Sequence, residues 1–127
     1  MVVLDASALL ALIFDEPGAE RVEDLLPAAA IGSVNLSEVI AKLQDKGFDD
    51  PTIDATLADL GLNVRPFDHD QAVIAGKLRT ATRDFNVSLG DRACLALALQ
   101  TGSVAVSGDR DWAQFADVIG VKLDIFR

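Results

Sequence analysis

Short β-rich apolar runs alternate with helical stretches along the whole chain, and that alternation leaves few folds open. The strand-like runs are "MVVL" (1–4), "AAIGSV" (29–34), "NVRPF" (63–67), "SVAVSG" (103–108) and "VKLDIF" (121–126). Helical patterning predicts helices over 7–16, with Ser7 as N-cap, and over 19–26, set off by Pro17-Gly18 and ending near Pro27. Further helices are expected over 35–47, ending at Gly47, and over 49–61, capped by Asp50 with Pro51 at the first position and Gly61 closing. A long helix over 68–85, one over 88–102 closed by Gly102, and a short one over 109–116 complete the order. Helices between successive strands imply a mostly parallel sheet covered on both faces, a three-layer α/β/α sandwich. At 127 residues, with no repeat, linker or low-complexity tract, the chain reads as a single domain, 1–127.

Half of the residues are hydrophobic and the mean hydropathy is +0.30, enough to fill a core and against disorder. No apolar run reaches the roughly 18 residues of a membrane span. The apolar opening is interrupted by Asp5 and has no basic residues before it, so it does not read as a signal peptide and a cytoplasmic protein is expected. The single Cys94 has no intrachain partner for a disulfide, and its apolar helix predicts core packing. Leu95, Leu97 and Leu99 are too closely spaced for one stripe, so that helix is expected to be buried on several sides.

The net charge of −9 is unevenly distributed. Residues 1–62 hold 3 basic and 12 acidic side chains, whereas 63–127 hold 8 of each. That acidity speaks against tight nonspecific nucleic-acid binding, which leaves a basic footprint. It admits a divalent cation, a basic partner protein, or a nucleic-acid groove confined to the second half.

In open α/β sheets, ligands bind beyond the carboxyl ends of the strands. Asp5 directly follows the first strand, and Asp109 follows "SVAVSG". Glu38 and Asp91 fall in the expected first turns of the helices that begin at that edge. Each has an ordinary explanation as well. Asn35-Leu36-Ser37-Glu38 and Ser88-Leu89-Gly90-Asp91 both fit a capping box, and Asp109 fits a helix cap. Asp5 fits such roles least, because it ends an apolar run in which an unpaired charge is costly. Carboxylates gathered at one edge repel each other and stay ionised only with a compensating cation. Hard oxygen ligands without a His or Cys cluster suit Mg²⁺ or Mn²⁺.

With these pieces, "VVLDASALLAL", "SVNLSEV", "SLGDRACLALA" and "SGDRDW", the sequence resembles the PIN-domain ribonucleases of the VapC toxin type, over the length of the chain. The resemblance implies a metal-dependent endoribonuclease whose acidic quartet, Asp5, Glu38, Asp91 and Asp109, holds Mg²⁺ or Mn²⁺ and carries out catalysis. Ser107 matches the family's small hydroxyl residue two places before the last acid, and Ser7 a small residue near the first. Asp111 is an extra carboxylate that either joins the metal site or stays on the surface. The resemblance also implies a homodimer, an RNA substrate, a VapB-type antitoxin, and contact with DNA only through that antitoxin. A basic antitoxin arm would suit the acidic first half.

Two other readings stand beside this one. A receiver-like phosphoacceptor domain also uses an acidic Mg²⁺ site at a sheet edge, but Asp5 stands alone after its strand. A non-catalytic PIN-fold binding module is the other. Arg92 faces away from Asp91 on the helix and serves either RNA phosphate or a surface ion pair, as do Arg79, Arg83 and Arg110. His69 between Asp68 and Asp70 reads as solvated, and Trp112 with Phe115 as packing at i, i+3.

Overall fold

The computed structural model describes all residues, 1–127. Five parallel strands form one sheet: β1 (Val2–Leu4), β2 (Ala29–Gly32), β3 (Asn63–Arg65), β4 (Val104–Ser107) and β5 (Lys122–Ile125), in the order β3-β2-β1-β4-β5. The sheet is fully parallel, not only mostly so. The helices are α1 (Ala6–Ile13), α2 (Ala19–Leu25), α3 (Ser33–Asp45), α4 (Asp50–Leu60), α5 (His69–Lys77), α6 (Arg79–Thr82), α7 (Leu89–Thr101) and α8 (Ala116–Ile119).

Side chains alternate across the central strands. Val3 and Ala105 enter a core with Cys94, Leu95, Leu97, Trp112 and Phe115, under α7 and the C-terminal turns. Leu4 and Val106 face the other way, against Ala8 and Ala11 of α1 and Val22 of α2. Ile31 of β2 packs with Leu9, Val39, Leu43 and Ile53, which joins α1, α3 and α4 to that face. Each face therefore has its own helical layer, the expected three-layer sandwich.

The chain moves outward from β1 to β2 to β3, then returns past β1 to place β4 and β5 on the other side. The strand order reverses between β1 and β4. That is the switch point, where the flanking connections diverge and leave a crevice at the carboxyl edge. Leu4 pairs with Val106, and the Asp5 amide donates to the Val106 carbonyl at 2.9 Å. Asp5 and Ser107 thus stand side by side at the mouth of that crevice.

Several local expectations need correction. The first helix starts at Ala6 with Asp5, not Ser7, in the N-cap position, and ends at Ile13; Asp15 then takes a positive φ of 52°. Asp49 rather than Asp50 caps α4, its side chain accepting from the Thr52 amide. The long helix over 68–85 is broken into α5, α6 and a 3₁₀ turn at Arg83–Phe85. Thr82 is buried and its hydroxyl donates to the Leu78 carbonyl at 2.8 Å, a back-bond that competes with regular helix, and Asn86 at φ 55° turns the chain into α7. Residues 109–116 form a 3₁₀ turn (Arg110–Gln114) before α8, rather than one helix.

Candidate active site

Asp5 directly follows β1 at the switch point and is only 6% exposed. Its side chain makes no cap bond to α1; instead one carboxylate oxygen, Oδ2, accepts from two serines. Ser7 Oγ donates at 2.8 Å and Ser107 Oγ at 3.1 Å. Each serine is itself held by the loop after β4: Ser7 Oγ accepts from the Gly108 amide at 3.0 Å, and Ser107 Oγ accepts from the Asp109 amide at 3.1 Å. The two hydroxyls thus tie the end of β1 to the end of β4. No basic side chain pairs with Asp5; the ion pairs of the molecule are Arg21–Asp124 and Arg127–Glu16, both elsewhere. Burial, together with repulsion from Asp91 and against the serine hydrogen bonds, raises the Asp5 pKa to about 6.

Asp91 occupies the third position of α7. Its amide donates to Ser88 Oγ at 3.1 Å while its Oδ2 accepts from the Ser88 amide at 3.0 Å, so the expected capping box is present. Burial and repulsion from Asp109 still raise its pKa. Asp91 therefore both closes the box and contributes charge to the crevice.

Glu38 is placed differently from expectation. Helix α3 begins at Ser33, two residues early, so Glu38 lies in the second turn and the Asn35–Glu38 capping box does not form. The N-cap position falls on Gly32, which has no side chain to cap with. Asn35 instead points inward, fully buried, and Nδ2 donates to Glu38 Oε1 at 2.9 Å and to the Gly90 carbonyl at 3.0 Å. Glu38 is exposed as a residue, but its carboxylate rests in a notch over Gly90 that a Cβ would fill. Partial burial and repulsion from Asp91, partly offset by the Asn35 hydrogen bond, raise its pKa.

Asp109 is exposed, and its Oδ1 accepts from the Asp111 amide at 3.0 Å, capping the 3₁₀ turn. Asp111 is exposed too, and its Oδ1 accepts from Gln114 Nε2 at 3.2 Å.

The four acids share one electrostatic field: Asp91 acts on Asp5 and Glu38, and Asp109 acts on Asp91. Cys94, fully buried on α7, has its thiol pKa pushed well up by burial and then by Asp5, Asp91 and Glu38 together. The side chains nevertheless stand apart: no three of them converge closely enough to ligate one ion together. The donor set still suits a hydrated Mg²⁺ or Mn²⁺. Mg²⁺ takes one or two carboxylates directly and fills the rest of its octahedron with water. A buried carboxylate repelled by a second one, with hydroxyl donors and no basic side chain to pair with it, suits such an ion.

No arginine forms an ion pair with any of the four acids, although the Arg127 guanidinium lies against Gly108 in the loop after β4. Arg92 Nη1 donates to the Ala75 carbonyl at 3.0 Å, so it ties α7 to α5, and it does not form the expected surface ion pair. Arg110 Nη2 donates to the carbonyl of Arg127. Arg79 and Arg83 are exposed. His69 is exposed, and Trp112 and Phe115 are fully buried, as the sequence implied. Neither Asn35 nor Gly90 carries a site signal in the sequence, because no spacing rule marks an inward asparagine in a helix that starts ahead of it.

The PIN domain family model matches residues 2–118, and the chain belongs to that family. Its fold matches VapBC2 of Rickettsia felis bound to a DNA fragment from its promoter, with a TM-score of 0.77 and 17% identity over 98% of both chains. DNA-bound VapBC of Salmonella typhimurium gives 0.70 and 19% identity, over 97% of this chain and 96% of that one. VapBC-5 of Mycobacterium tuberculosis, from a family of toxin–antitoxin systems, gives 0.65 and 23%, over 95% and 94%. No curated protein matches the sequence.

Proposed function

We propose that this chain is a metal-dependent endoribonuclease toxin, held in check by a cognate VapB-type antitoxin. The observation that carries the reading is the buried Asp5 at the switch point, in the field of Asp91, with two serine hydroxyl donors and no basic side chain paired to it. PIN family membership and the fold shared with toxin–antitoxin proteins support it. The strand order β3-β2-β1-β4-β5 also differs from the 2-1-3-4-5 order of receiver domains, which removes that alternative.

In this reading Asp5, Glu38, Asp91 and Asp109 would together hold a hydrated Mg²⁺ or Mn²⁺, one or two of them directly and the others through water. Asp111, exposed and turned to Gln114, is an outer carboxylate at most. When bound, the ion supplies Lewis-acid charge stabilisation at the scissile phosphate and lowers the pKa of the attacking water. Ser7 and Ser107 hold Asp5 by fixing one of its oxygens, Oδ2. The Ser88 box fixes Asp91, and Asn35 with Gly90 fixes Glu38. The chain acts in the cytoplasm as a homodimer. Its acidic first half offers a surface for a basic antitoxin arm, and its contact with DNA runs only through that antitoxin.

Expression of the parent chain alone should arrest growth, and co-expression of its antitoxin should relieve the arrest. Arrest that is equally strong with Asp91→Asn would rule out the acidic site as its cause.

A further inference from the structure

We infer that Asn35 is a positioning residue that sets the separation of Glu38 and Asp91, and thereby the metal affinity of the crevice. The inference rests on the metal-site reading above. Asn35 lies on α3 in a fully buried position, and its one amide nitrogen spends both protons, one within α3 and one across to α7. One goes to Glu38 on its own helix and the other to the Gly90 carbonyl, the residue next to Asp91 at the start of α7. A single planar group therefore couples the second turn of α3 to the first turn of α7.

The orientation of that amide is fixed by chemistry. Reversed, it would set its oxygen against the Glu38 carboxylate and the Gly90 carbonyl, three acceptors with no proton among them. In the observed orientation Oδ1 is buried with no hydrogen-bond partner and faces Gly32, where an added Cβ would lie 3.4 Å away. Leaving an acceptor buried and unpaired is costly. An apolar side chain of similar volume would fill the space without that cost. It would also release both the Glu38 carboxylate and the α7 terminus, so what the amide uniquely supplies is the pair of donors. The notch over Gly90 completes the device, because the carboxylate that Asn35 pulls inward occupies the place where any other residue would carry a Cβ. Partners that hold metal-ligating carboxylates in place commonly change metal affinity by about 10–100-fold when removed.

The test is Mn²⁺ binding to the purified full chain, followed by the loss of the free-ion electron paramagnetic resonance signal, with thermal melting as a control for folding. Asn35→Leu should weaken Mn²⁺ binding by about tenfold or more. Asn35→Ser, which keeps one donor, should recover part of that loss. If Asn35 acts through Glu38, adding Asn35→Leu to Glu38→Gln should cost less than about twofold further. Binding by Asn35→Leu within twofold of the parent would overturn the inference, as would an equal loss in both backgrounds. Should Asn35→Leu fail to fold, Asn35→Ala, which also removes both donors, decides by the same comparison. A parent chain that binds no Mn²⁺ would instead remove the metal-site reading, and the inference with it.

Discussion

Replacing Asp5 with Asn should make the metal-free protein more stable, although it removes the central carboxylate of the site. The carboxyl pKa rises from 3.8 to about 6 on folding, chiefly through burial. A folded-state pKa above the unfolded value means that the folded protein holds its proton more tightly. The associated stability is complete below pH 3.8 and is lost as the pH rises through about 6. Above that window the native state carries a buried, unpaired carboxylate. A shift of this size corresponds to about 3 kcal/mol at pH 8, and to about 1 kcal/mol at pH 4.5. Asn keeps an acceptor for the Ser7 and Ser107 hydroxyls and carries no charge, so it should recover most of this. For a domain of this length the melting midpoint should rise by about 10 °C at pH 8 and by only a few degrees at pH 4.5. Calorimetry in EDTA at both pH values measures the difference. Added Mn²⁺ should then raise the parent's midpoint and leave that of Asp5→Asn nearly unchanged. An Asp5→Asn protein no more stable than the parent at pH 8, or one whose gain does not depend on pH, would refute the claim that Asp5 is a buried charge without a basic partner.

Asp109→Asn should reduce metal-dependent cleavage by about 100-fold or more, whereas Asp111→Asn, whose side chain turns to Gln114, should cost less than about tenfold; initial rates on a common RNA would reverse the assignment if the order were opposite. Gly90→Ala should leave the melting midpoint within a few degrees, because the obstructing group is the movable end of Glu38, yet weaken Mn²⁺ binding by about tenfold. Equal losses of stability and affinity would show the notch to be merely structural. Gly18→Ala should destabilise by at least about 2 kcal/mol on urea unfolding, since Gly18 sits at φ 89° and a Cβ there would lie 2.7 Å from the Phe126 carbonyl. A cost under about 0.5 kcal/mol would mean that the α2 start is not pinned to the end of β5.

The features legible in the sequence are those with a local physical cause. Alternating apolar runs and helical stretches give the layers, and Asp5 stands out because a charge ending a buried strand has no structural use there. The Ser88–Asp91 box was readable because both of its hydrogen bonds span three residues. What escaped depends on contacts distant in sequence. The Asn35 amide reaches residue 90, and Ser7 reaches the loop at Gly108. The same motif that predicted a cap at Asn35 failed because α3 continues directly from β2, with Gly32 as the junction. Arg92 could not be assigned either, because its partner is a backbone carbonyl on α5, 17 residues earlier. The break in 68–85 was hidden because a Thr back-bond leaves no mark in hydrophobic periodicity.

Cleavage of total cellular RNA decides whether the acids at the switch point form a metal-dependent nuclease site. The purified chain, freed of partner, would be incubated with Mg²⁺ or Mn²⁺, with EDTA, and beside Asp91→Asn. Discrete fragments that require the metal and disappear in the mutant are the predicted result. Cleavage that persists in EDTA, or that Asp91→Asn carries out at the parent's rate, would contradict it.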